Sequence, residues 1–480
     1  MKMHRIAPIL LVLATAARAA EDPAPRLRAA LVKLRVTTQS WDPTSPWKKR
    51  PESARTGRGF VVEPGVILTK ASVVQDPRMI EVSVANSARR YPARLKHIDV
   101  RIGLALVEIT DETLRASLQP LPIGDPVKLD DEFDIYQLSA DNTLERYTAR
   151  VVRAAASSAR LTLQVNTTCS SRGDGQVAFK DGKVVGLVTS TARGQSGTIL
   201  SVETMRHYLD DFKDGVYQGC PAPGLWIQTL LRDDLRAYYG LADDQHGIAV
   251  TRVMSGRTGD GAVRKGDVLL EVDGEDVDDE AKFVHPVHGR LDASYIFQGR
   301  RYAGEKMKAR LLRAGKVIDV DFELRGWPAA EMRVPDRPPG GRPQYLVVGG
   351  LVILELTGNL RIDRSSGGVI LRRYKERAGW DQPGERKRIV FVDHVLQDIS
   401  NKGFEGLRLA PIETVNGRAI QVIADVAKAL EKPQGDFHVF RFEGVETDFV
   451  IRAADLGKIN ERIAKTYMVT ETRHLEGDPE

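Results

Sequence analysis

Short apolar runs separated by polar turns dominate the sequence from Leu27 to about Tyr217. The runs are rich in β-branched residues and are broken by Gly, Pro and Asp; examples are residues 59–62, 66–68, 80–84, 104–109 and 161–165. Many short strands at this spacing are typical of an all-β barrel or sandwich. The pattern changes at Val202 to Phe212, where it predicts a helix that closes this part of the chain.

Two later segments repeat one pattern of their own. Each has a strand, a tight turn and a second strand that ends in Asp-Gly or Asn-Gly, which is a hairpin signature. The first segment contains 247–250, 263–274 and a hairpin at 314–316, and the second contains 389–392, 409–417 and an amphipathic helix near 422–430. Residues 217–223 read as a linker, and the Pro/Arg/Gly stretch 335–343 reads as a spacer.

The first residues have the composition of a leader. Lys2 and Arg5 precede the apolar run Ile6 to Ala16, and small residues at 17–20 offer an Ala-x-Ala cleavage site. This pattern predicts a secretory signal peptide over residues 1–20. No later segment approaches the ~20 apolar residues of a membrane-spanning helix. We therefore expect an exported protein, periplasmic or secreted, with no membrane span.

Length, composition and charge limit the classes of protein that the chain can belong to. A chain of 480 residues with 42% hydrophobic and 28% charged residues suggests a globular protein of about three domains. The formal net charge of +5 falls to +2 once Lys2, Arg5 and Arg18 leave with the leader. Because the basic residues are scattered and not interleaved with aromatic residues, the sequence does not indicate nucleic-acid binding.

Metal and cofactor chemistry have weak support in the sequence. His285 and His288 are closely spaced, but no Cys or carboxylate spacing accompanies them, so we interpret them as ordinary surface residues and predict neither metal nor cofactor. Cys169 and Cys220 are the only cysteines, and whether they form a disulfide stays open.

The order of several motifs resembles the Deg/HtrA serine protease family, most closely its plant-type branch. The likeness rests on residues 57–61, 67–74, 103–106 and 182–186, followed by the two repeated segments. It implies a mainly β fold, a trypsin-like double β-barrel followed by two PDZ domains. The implied boundaries are 21–217 for the protease-like domain, 222–327 for the first PDZ domain, 340–455 for the second and 456–480 for a C-terminal tail.

The same resemblance implies a degenerate catalytic triad. Where the family carries His in Leu-Thr-Asn-Ala-His-Val, this chain has Ser72, and where the family carries Asp it has Gly103. At the nucleophile, one register puts Gly173 in the place of Ser and another puts Asp174 there, while the most economical comparison keeps Gly-Asp and Gly and deletes the serine. These residues supply no general base, no orienting carboxylate and no nucleophilic hydroxyl, so we predict that no catalytic residue remains.

A relocated active site is the main alternative. Ser170, Ser171 and Cys169 lie in the nucleophile loop and could attack a carbonyl if a new base activated them. His97 and Asp99 are near Gly103 in sequence, but their offset along a strand argues against substitution for the triad. A working serine endopeptidase in protein quality control therefore stays open as an alternative.

The PDZ resemblance implies capture of an extended peptide with its carboxylate held by backbone N–H groups. The matching loops are Pro223, Gly224 and Leu225 in the first domain, and Gly349, Gly350 and Leu351 in the second. Because Pro223 lacks an N–H, internal segments are expected to suit the first groove better than free C-termini. The second groove has an alternative interpretation, in which this chain or a neighbour fills it and it serves assembly.

Partners follow from these interpretations. We predict a pseudoprotease that binds peptides or unfolded polypeptides as a scaffold, a chaperone-like factor or a regulator of an active Deg/HtrA relative. The resemblance implies a homo-oligomer, a trimer or a multiple of one; a purely structural oligomer with self-occupied grooves is the second alternative. Trp41 and Trp47 either anchor an oligomer contact or pack over the first barrel.

Overall fold

The computed structural model describes residues 22–192, 195–327, 332–338, 340–362, 368–377 and 386–478. The predicted leader, 1–20, lies outside these residues. The described chain is mainly β, and its strands form two closed barrels, a six-stranded sheet with a small hairpin beside it, and an eight-stranded sheet. None of the helices in these ranges has the length and apolar content that a membrane crossing requires.

The first barrel closes in the order β1-β2-β3-β6-β5-β4. Its strands are β1 (Leu31–Thr38), β2 (Ser53–Glu63), β3 (Val66–Lys70), β4 (Pro77–Val84), β5 (Tyr91–Asp99) and β6 (Leu104–Ile109), and the short helices α1 (Ala24–Arg28) and α2 (Glu112–Ser117) flank it. Leu34, Val82 and Val107 are fully buried. Apolar and polar residues alternate along these strands, and the apolar side chains fill the interior of the barrel.

The second barrel closes in the order β10-β11-β12-β9-β8-β7. Its strands are β7 (Glu132–Leu138), β8 (Leu144–Ser157), β9 (Arg160–Thr167), β10 (Val177–Lys180), β11 (Lys183–Ala192) and β12 (Ser196–Ser201). The predicted closing helix is α3 (Val202–Asp210). It begins at Ser201, whose hydroxyl accepts a hydrogen bond from the Thr204 N–H at 3.3 Å.

The six-stranded sheet follows the barrels, and we call this part the first PDZ-like unit. Its strands run in the order β13-β14-β15-β19-β20, with β16 paired to β15. The bounds are β13 (Leu225–Thr229), α4 (Asp233–Tyr239), β14 (Ile248–Val253), β15 (Val268–Val272), β16 (Glu275–Asp276), β17 (Lys282–His285), β18 (Gly289–Asp292), α5 (Ser294–Gln298), β19 (Lys306–Arg313) and β20 (Lys316–Glu323). Strand β13 lies at one edge, so one of its two sides faces away from the sheet.

The eight-stranded sheet forms the second PDZ-like unit, in the order β27-β26-β24-β23-β22-β21-β28, with β25 paired to β24. The bounds are β21 (Tyr345–Val348), β22 (Leu351–Glu355), α6 (Val369–Glu376), β23 (Val390–Val395), β24 (Ala410–Val415), β25 (Arg418–Ala419), α7 (Ile423–Leu430), β26 (Phe437–Phe442), β27 (Val445–Arg452), α8 (Leu456–Tyr467) and β28 (Arg473–His474). Residues 456–480, assigned to a tail, contain α8 and β28. Because β28 pairs with β21, residues 473–474 of this segment are part of the sheet.

Trp47 packs on this last sheet and not over the first barrel. Its side chain is buried in the cluster formed by β21, β22 and β23, with its ring 6.2 Å from that of Tyr345. Trp41 lies beneath the guanidinium of Arg342, 4.8 Å away. Both tryptophans thus bind the N-terminal part of the chain to the second PDZ-like unit, a long-range contact that neither interpretation of them anticipated.

The second barrel and the first PDZ-like unit share one hydrophobic cluster. Leu161 of β9 is fully buried among Phe283, Leu291 and Tyr295 of the PDZ-like unit. Tyr302 stacks on His207 of α3 with ring centroids 4.1 Å apart, and its hydroxyl donates to the His207 carbonyl at 3.0 Å. The interface between the second barrel and the first PDZ-like unit is therefore apolar and packed like the core of a single domain.

Candidate functional site

The residues in the predicted triad positions lie at the junction of the two barrels, which we call the cleft: Ala71, beside Ser72, contacts Gly103, and Lys70 contacts Gly173. Ser72 lies in the turn 71–73 that follows β3, and the Ala71 N–H beside it donates to the carbonyl of Gly103 at 2.9 Å. Gly103 has a φ of +87°, which glycine adopts without strain. The Ser72 side chain is exposed, and its carbonyl accepts a hydrogen bond from Arg55 at 3.1 Å.

Lys70 bridges this cleft from the first barrel to the second. Its ammonium donates to the carbonyl oxygens of Gly173 at 3.0 Å and Thr189 at 2.6 Å. Burial lowers the pKa of Lys70, and the nearby Asp174 carboxylate acts in the opposite direction. Sequence reasoning missed this residue, because a lysine at the Asn position of the family motif does not by itself indicate a contact with the second barrel.

The loop 169–175 lies tightly against β11. A Cβ added to Gly173 would be 2.2 Å from the backbone nitrogen of Ser190, and one added to Gly175 would be 2.3 Å from the carbonyl oxygen of Arg58. No side chain fits at either position unless backbone moves. In this arrangement a serine at position 173 would collide with the strand beside it.

Two backbone N–H groups of this loop, those of Asp174 and Gly175, are already used within the chain. The Gly175 N–H donates to the Val188 carbonyl at 3.1 Å, and the Asp174 N–H donates to Oε1 of Gln176 at 2.9 Å. An oxyanion hole requires such donors to point at a developing negative charge. Here both point at oxygens of the protein.

The alternative nucleophiles lie in a neutral hydrogen-bond network. The Ser171 hydroxyl donates to Oε1 of Gln137 at 2.9 Å, accepts from Nε2 of Gln176 at 3.0 Å and lies 3.3 Å from the Cys169 sulfur. Cys169 is fully buried. The described contacts of Ser171 thus comprise amides and a thiol and include neither an imidazole nor a carboxylate.

His97 and Asp99 are held in other contacts. Nδ1 of His97 is hydrogen-bonded to the Tyr208 hydroxyl at 2.9 Å, and burial lowers the pKa of this histidine. Asp99 accepts hydrogen bonds from the Tyr217 hydroxyl at 2.5 Å and the Ile102 N–H at 2.9 Å. Both side chains therefore stabilise the junction between β5, α3 and the linker.

The two cysteines are free and buried. Burial raises the pKa of the Cys220 thiol to about 12, so it stays protonated near neutral pH. Cys220 lies in the linker before β13, whereas Cys169 lies in the loop before β10.

The interpretation of His288 as a surface residue was wrong. Its side chain is only 1% exposed, and Nε2 lies 2.6 Å from Oε1 of Glu203 in α3. The histidine is buried because the first PDZ-like unit packs on α3, which the local sequence does not reveal. His285 stacks on it with ring centroids 5.0 Å apart. In the described part of the chain, no group of three or more His, Cys, Asp or Glu could hold a metal ion.

The predicted carboxylate loop of the first PDZ-like unit is closely packed. Gly224 is buried, and a Cβ on it would be 2.0 Å from the Thr258 carbonyl oxygen. Its own carbonyl accepts from the Met254 N–H at 2.8 Å. Pro223 is exposed, and Leu225 begins the edge strand β13. A ligand could therefore reach the free side of β13 directly.

The corresponding loop of the second PDZ-like unit is filled by the chain itself. Oδ1 of Asn460 in α8 accepts a hydrogen bond from the Gly349 N–H at 2.8 Å, and the Gly350 carbonyl accepts from the Leu396 N–H at 2.7 Å. Leu351 is buried and begins β22, which pairs with β21 on one side and β23 on the other. No edge of β22 is left for an added strand.

Comparisons with known proteins match two separate parts of the chain to family models. Residues 57–203 match the trypsin-like peptidase domain and residues 334–475 match the PDZ domain. Protease Do-like 2, chloroplastic, of Arabidopsis thaliana is 26% identical over 429 residues, covering 86% of this chain and 70% of the relative. A probable periplasmic serine endoprotease DegP-like of Pseudomonas putida is 23% identical over 355 residues, covering 70% of each.

A solved structure of a variant of the HtrA-type protease AlgW with a decapeptide shares the fold. Its TM-score is 0.50 at 16% identity, and the match covers 64% of this chain and 98% of that one. The double barrel, the PDZ match that follows it and the Do-like relatives agree. The chain thus contains a trypsin-like peptidase domain and a PDZ domain, and over most of its length it is similar to proteases of the Do-like and DegP-like type.

Proposed function

We propose that this protein is a catalytically silent Deg/HtrA homologue that binds peptides or unfolded polypeptides through its first PDZ-like unit. The observation that carries the proposal is the closed cleft, in which Lys70 donates to the carbonyls of Gly173 and Thr189. A polypeptide substrate would need this space and a nucleophile within it. The cleft instead holds a lysine, and neither Ser72 nor Gly103 supplies acid–base chemistry.

Two further features of the cleft support catalytic silence. The N–H groups of Asp174 and Gly175 donate to protein oxygens, so they are not free to stabilise an oxyanion. Ser171 is bonded to Gln137 and Gln176, and these amides cannot accept its proton near neutral pH. A relocated nucleophile would therefore need both a new base and a new loop conformation.

Activity on unfolded protein tests this part of the proposal. We expect the purified protein to leave casein intact and to take up no label from a fluorophosphonate probe, while trypsin in parallel does both. The double variant Ser72→His/Gly103→Asp should be equally inactive, because the nucleophile and the oxyanion donors are still missing. Casein turnover by that variant, or a covalent adduct on the unchanged protein, would contradict catalytic silence.

Peptide binding is supported by the free side of β13 and by the family. The PDZ mode of recognition adds an extended peptide as a strand to such an edge. In the second PDZ-like unit, β21 and Asn460 fill the corresponding positions, which favours a structural role there. A peptide array probed with the intact protein should give binders, and binders that survive deletion of β13 would contradict the assignment to the first unit.

Export and assembly complete the proposal. The pattern of residues 1–20 supports a leader, and the DegP-like relative of Pseudomonas putida is described as periplasmic. We expect the protein outside the cytoplasm as a homo-oligomer, a trimer or a multiple of one, acting as a scaffold, chaperone-like factor or regulator of an active relative. Cell fractionation and light scattering of the purified protein test these two expectations.

A further inference from the structure

A cavity of about 610 Å³ lies where the first PDZ-like unit meets both barrels. One wall is the edge strand β13, with Leu225 and Ile227. The facing wall comes from the protease-like part, with Arg101 from the turn after β5 and Arg160 at the start of β9, and Trp327 follows the last strand of the unit. The site is complete only because separate domains contribute to it.

We propose that this cavity binds an extended peptide as a strand added to β13, and that Arg101 and Arg160 select a peptide with an acidic side chain. The proposal rests on the peptide-binding function proposed above and specifies the ligand. Apolar residues on one wall and two guanidinium groups on the other suit a segment in which apolar residues alternate with a carboxylate, because successive side chains of a strand point to opposite faces.

Arg101 is already held in position. Its guanidinium carbon lies 3.7 Å from the centroid of the Trp327 ring, and its Nη2 lies 3.5 Å from Oδ2 of Asp336. Stacking on an aromatic ring orients the planar guanidinium for bidentate contact with a carboxylate. The Asp336 side chain is 56% exposed, so a ligand carboxylate can replace it as the partner of Arg101 at a small cost in free energy.

Arg160 supplies a second cation. Its side chain is exposed, and within the described parts of the chain it forms no ion pair with a carboxylate. Nη1 lies 3.9 Å from the position that a Cβ on Gly103 would take. An Asp at position 103, as in active relatives, would therefore face Arg160, whereas glycine leaves this charge available to a ligand.

A side-chain carboxylate fits the site better than a terminal one. The loop that holds the terminal carboxylate in PDZ domains begins here with Pro223, which has no N–H to donate. Gly224 is buried against Thr258. The arginines, not this loop, carry the positive charge of the cavity.

Three labelled peptides of about eight residues test the proposal, a length that covers β13 with a margin at each end. All have alternating Val and Ser; the first has a central Glu and a C-terminal amide, the second replaces Glu by Gln, and the third has Gln with a free C-terminal carboxylate. By fluorescence anisotropy at low salt we expect the Glu peptide to bind the intact protein about fivefold or more tighter than the Gln amide. The preference should shrink at high salt.

Substitutions that are expected to change the Glu preference in opposite directions make the test more specific. Arg160→Gln and Arg101→Gln should each reduce the Glu preference severalfold, whereas Asp336→Asn should increase it because a competing carboxylate is removed. Arg153→Gln is the matched control, since Arg153 is an exposed arginine of β8 outside the cavity. Arg160 is exposed, so its variant is expected to fold even if the Arg101 variant does not.

Each contrary result has a distinct meaning. Equal binding of the Glu and Gln peptides, or an unchanged preference in Arg160→Gln, would overturn the assignment of the arginines. Tighter binding of the free-carboxylate peptide than of the Glu peptide would overturn selection of a side chain. Binding of none of the three, together with an array that yields no binder, would contradict the peptide-binding function itself.

Discussion

Gly173 determines how closely loop 169–175 can approach β11. With hydrogen in place of a side chain, its Cα lies against the backbone of Thr189 and Ser190. This approach brings the Gly173 carbonyl within 3.0 Å of the Lys70 ammonium. A side chain at position 173 and the contact between Lys70 and the Gly173 carbonyl therefore exclude each other unless the backbone moves.

Substitution of Gly173 should therefore destabilise the fold. We expect Gly173→Ser to lower the free energy of unfolding by about 2 kcal/mol or more, because the overlap is with backbone that cannot rotate away. Urea denaturation of the two proteins measures the difference. Gly406→Ala is the control, since Gly406 is exposed and an added Cβ meets nothing within 4 Å. Equal stability of Gly173→Ser and the unchanged protein would show that the loop moves freely.

Ser72 and Gly103 are predicted to stand at triad positions because both lie within recognisable motifs, and the structure brings the segments that carry them together through the hydrogen bond from Ala71 to Gly103. The role of Lys70 could not be predicted, since a lysine there is equally compatible with a solvent-exposed side chain. Its contacts depend on how far loop 169–175 approaches, and that distance is set by packing between two barrels. Local sequence carries no information about such a distance.

At the scale of elements, helix α3 joins the second barrel to the first PDZ-like unit. Periodicity predicted this helix, and the observed bounds differ only at its C-terminal end. What covers it was not predictable: Tyr302 and His288 reach it from residues about a hundred positions later. Residues close in sequence determine whether a segment forms a strand or a helix. The residues that pack against its buried face come from distant parts of the chain, which only the complete fold brings together.

This junction should weaken in mild acid. Burial lowers the pKa of His207 below its ordinary 6.5, an effect that outweighs the raising influence of Asp211, Glu305 and Asp210. The unfolded chain therefore binds a proton more readily than the folded one, and the free energy of unfolding falls as pH drops through 6.5 towards the folded-state pKa.

Comparison with a non-titrating ring checks this expectation. His207→Phe keeps a ring against Tyr302 but cannot be protonated, so urea midpoints at pH 7.5 and pH 5.5, roughly one unit either side of the ordinary histidine pKa, should differ less in the variant. Other buried histidines will leave some pH dependence in both proteins. An identical change in the variant and the unchanged protein would mean that His207 does not contribute.

At the scale of the whole molecule, Trp47 links the start of the chain to the second PDZ-like unit. The sequence suggests for both tryptophans either an oligomer contact or packing over the first barrel. Their partners, Tyr345 and Arg342, are some three hundred residues away in sequence. The order of domains along the chain did not reveal which of them would touch.

Truncation of Trp47 should loosen the second PDZ-like unit. We expect Trp47→Ala to cost about 3 kcal/mol, the usual scale for removing a buried aromatic side chain. Amide hydrogen exchange in β21 and β22 should increase, because Trp47 covers this part of the sheet. Trp41→Ala provides a comparison in which a less buried ring is lost and a smaller effect is expected. Unchanged exchange in Trp47→Ala would mean that the sheet is stable without it.

Trp47 and β28, the last described strand, both contact β21. Trp47 contacts Tyr345, and β28 pairs with Tyr345 and Leu346 of β21. Neither element can be removed without exposing a surface that the intact protein covers. A protein that lacks residues 41–47 exposes an apolar surface, and one that stops before residue 473 exposes the edge of β21. Either truncated protein would therefore bind other proteins nonspecifically. Proteins recovered with it in a pull-down would reflect the truncation and not the partners of the intact molecule.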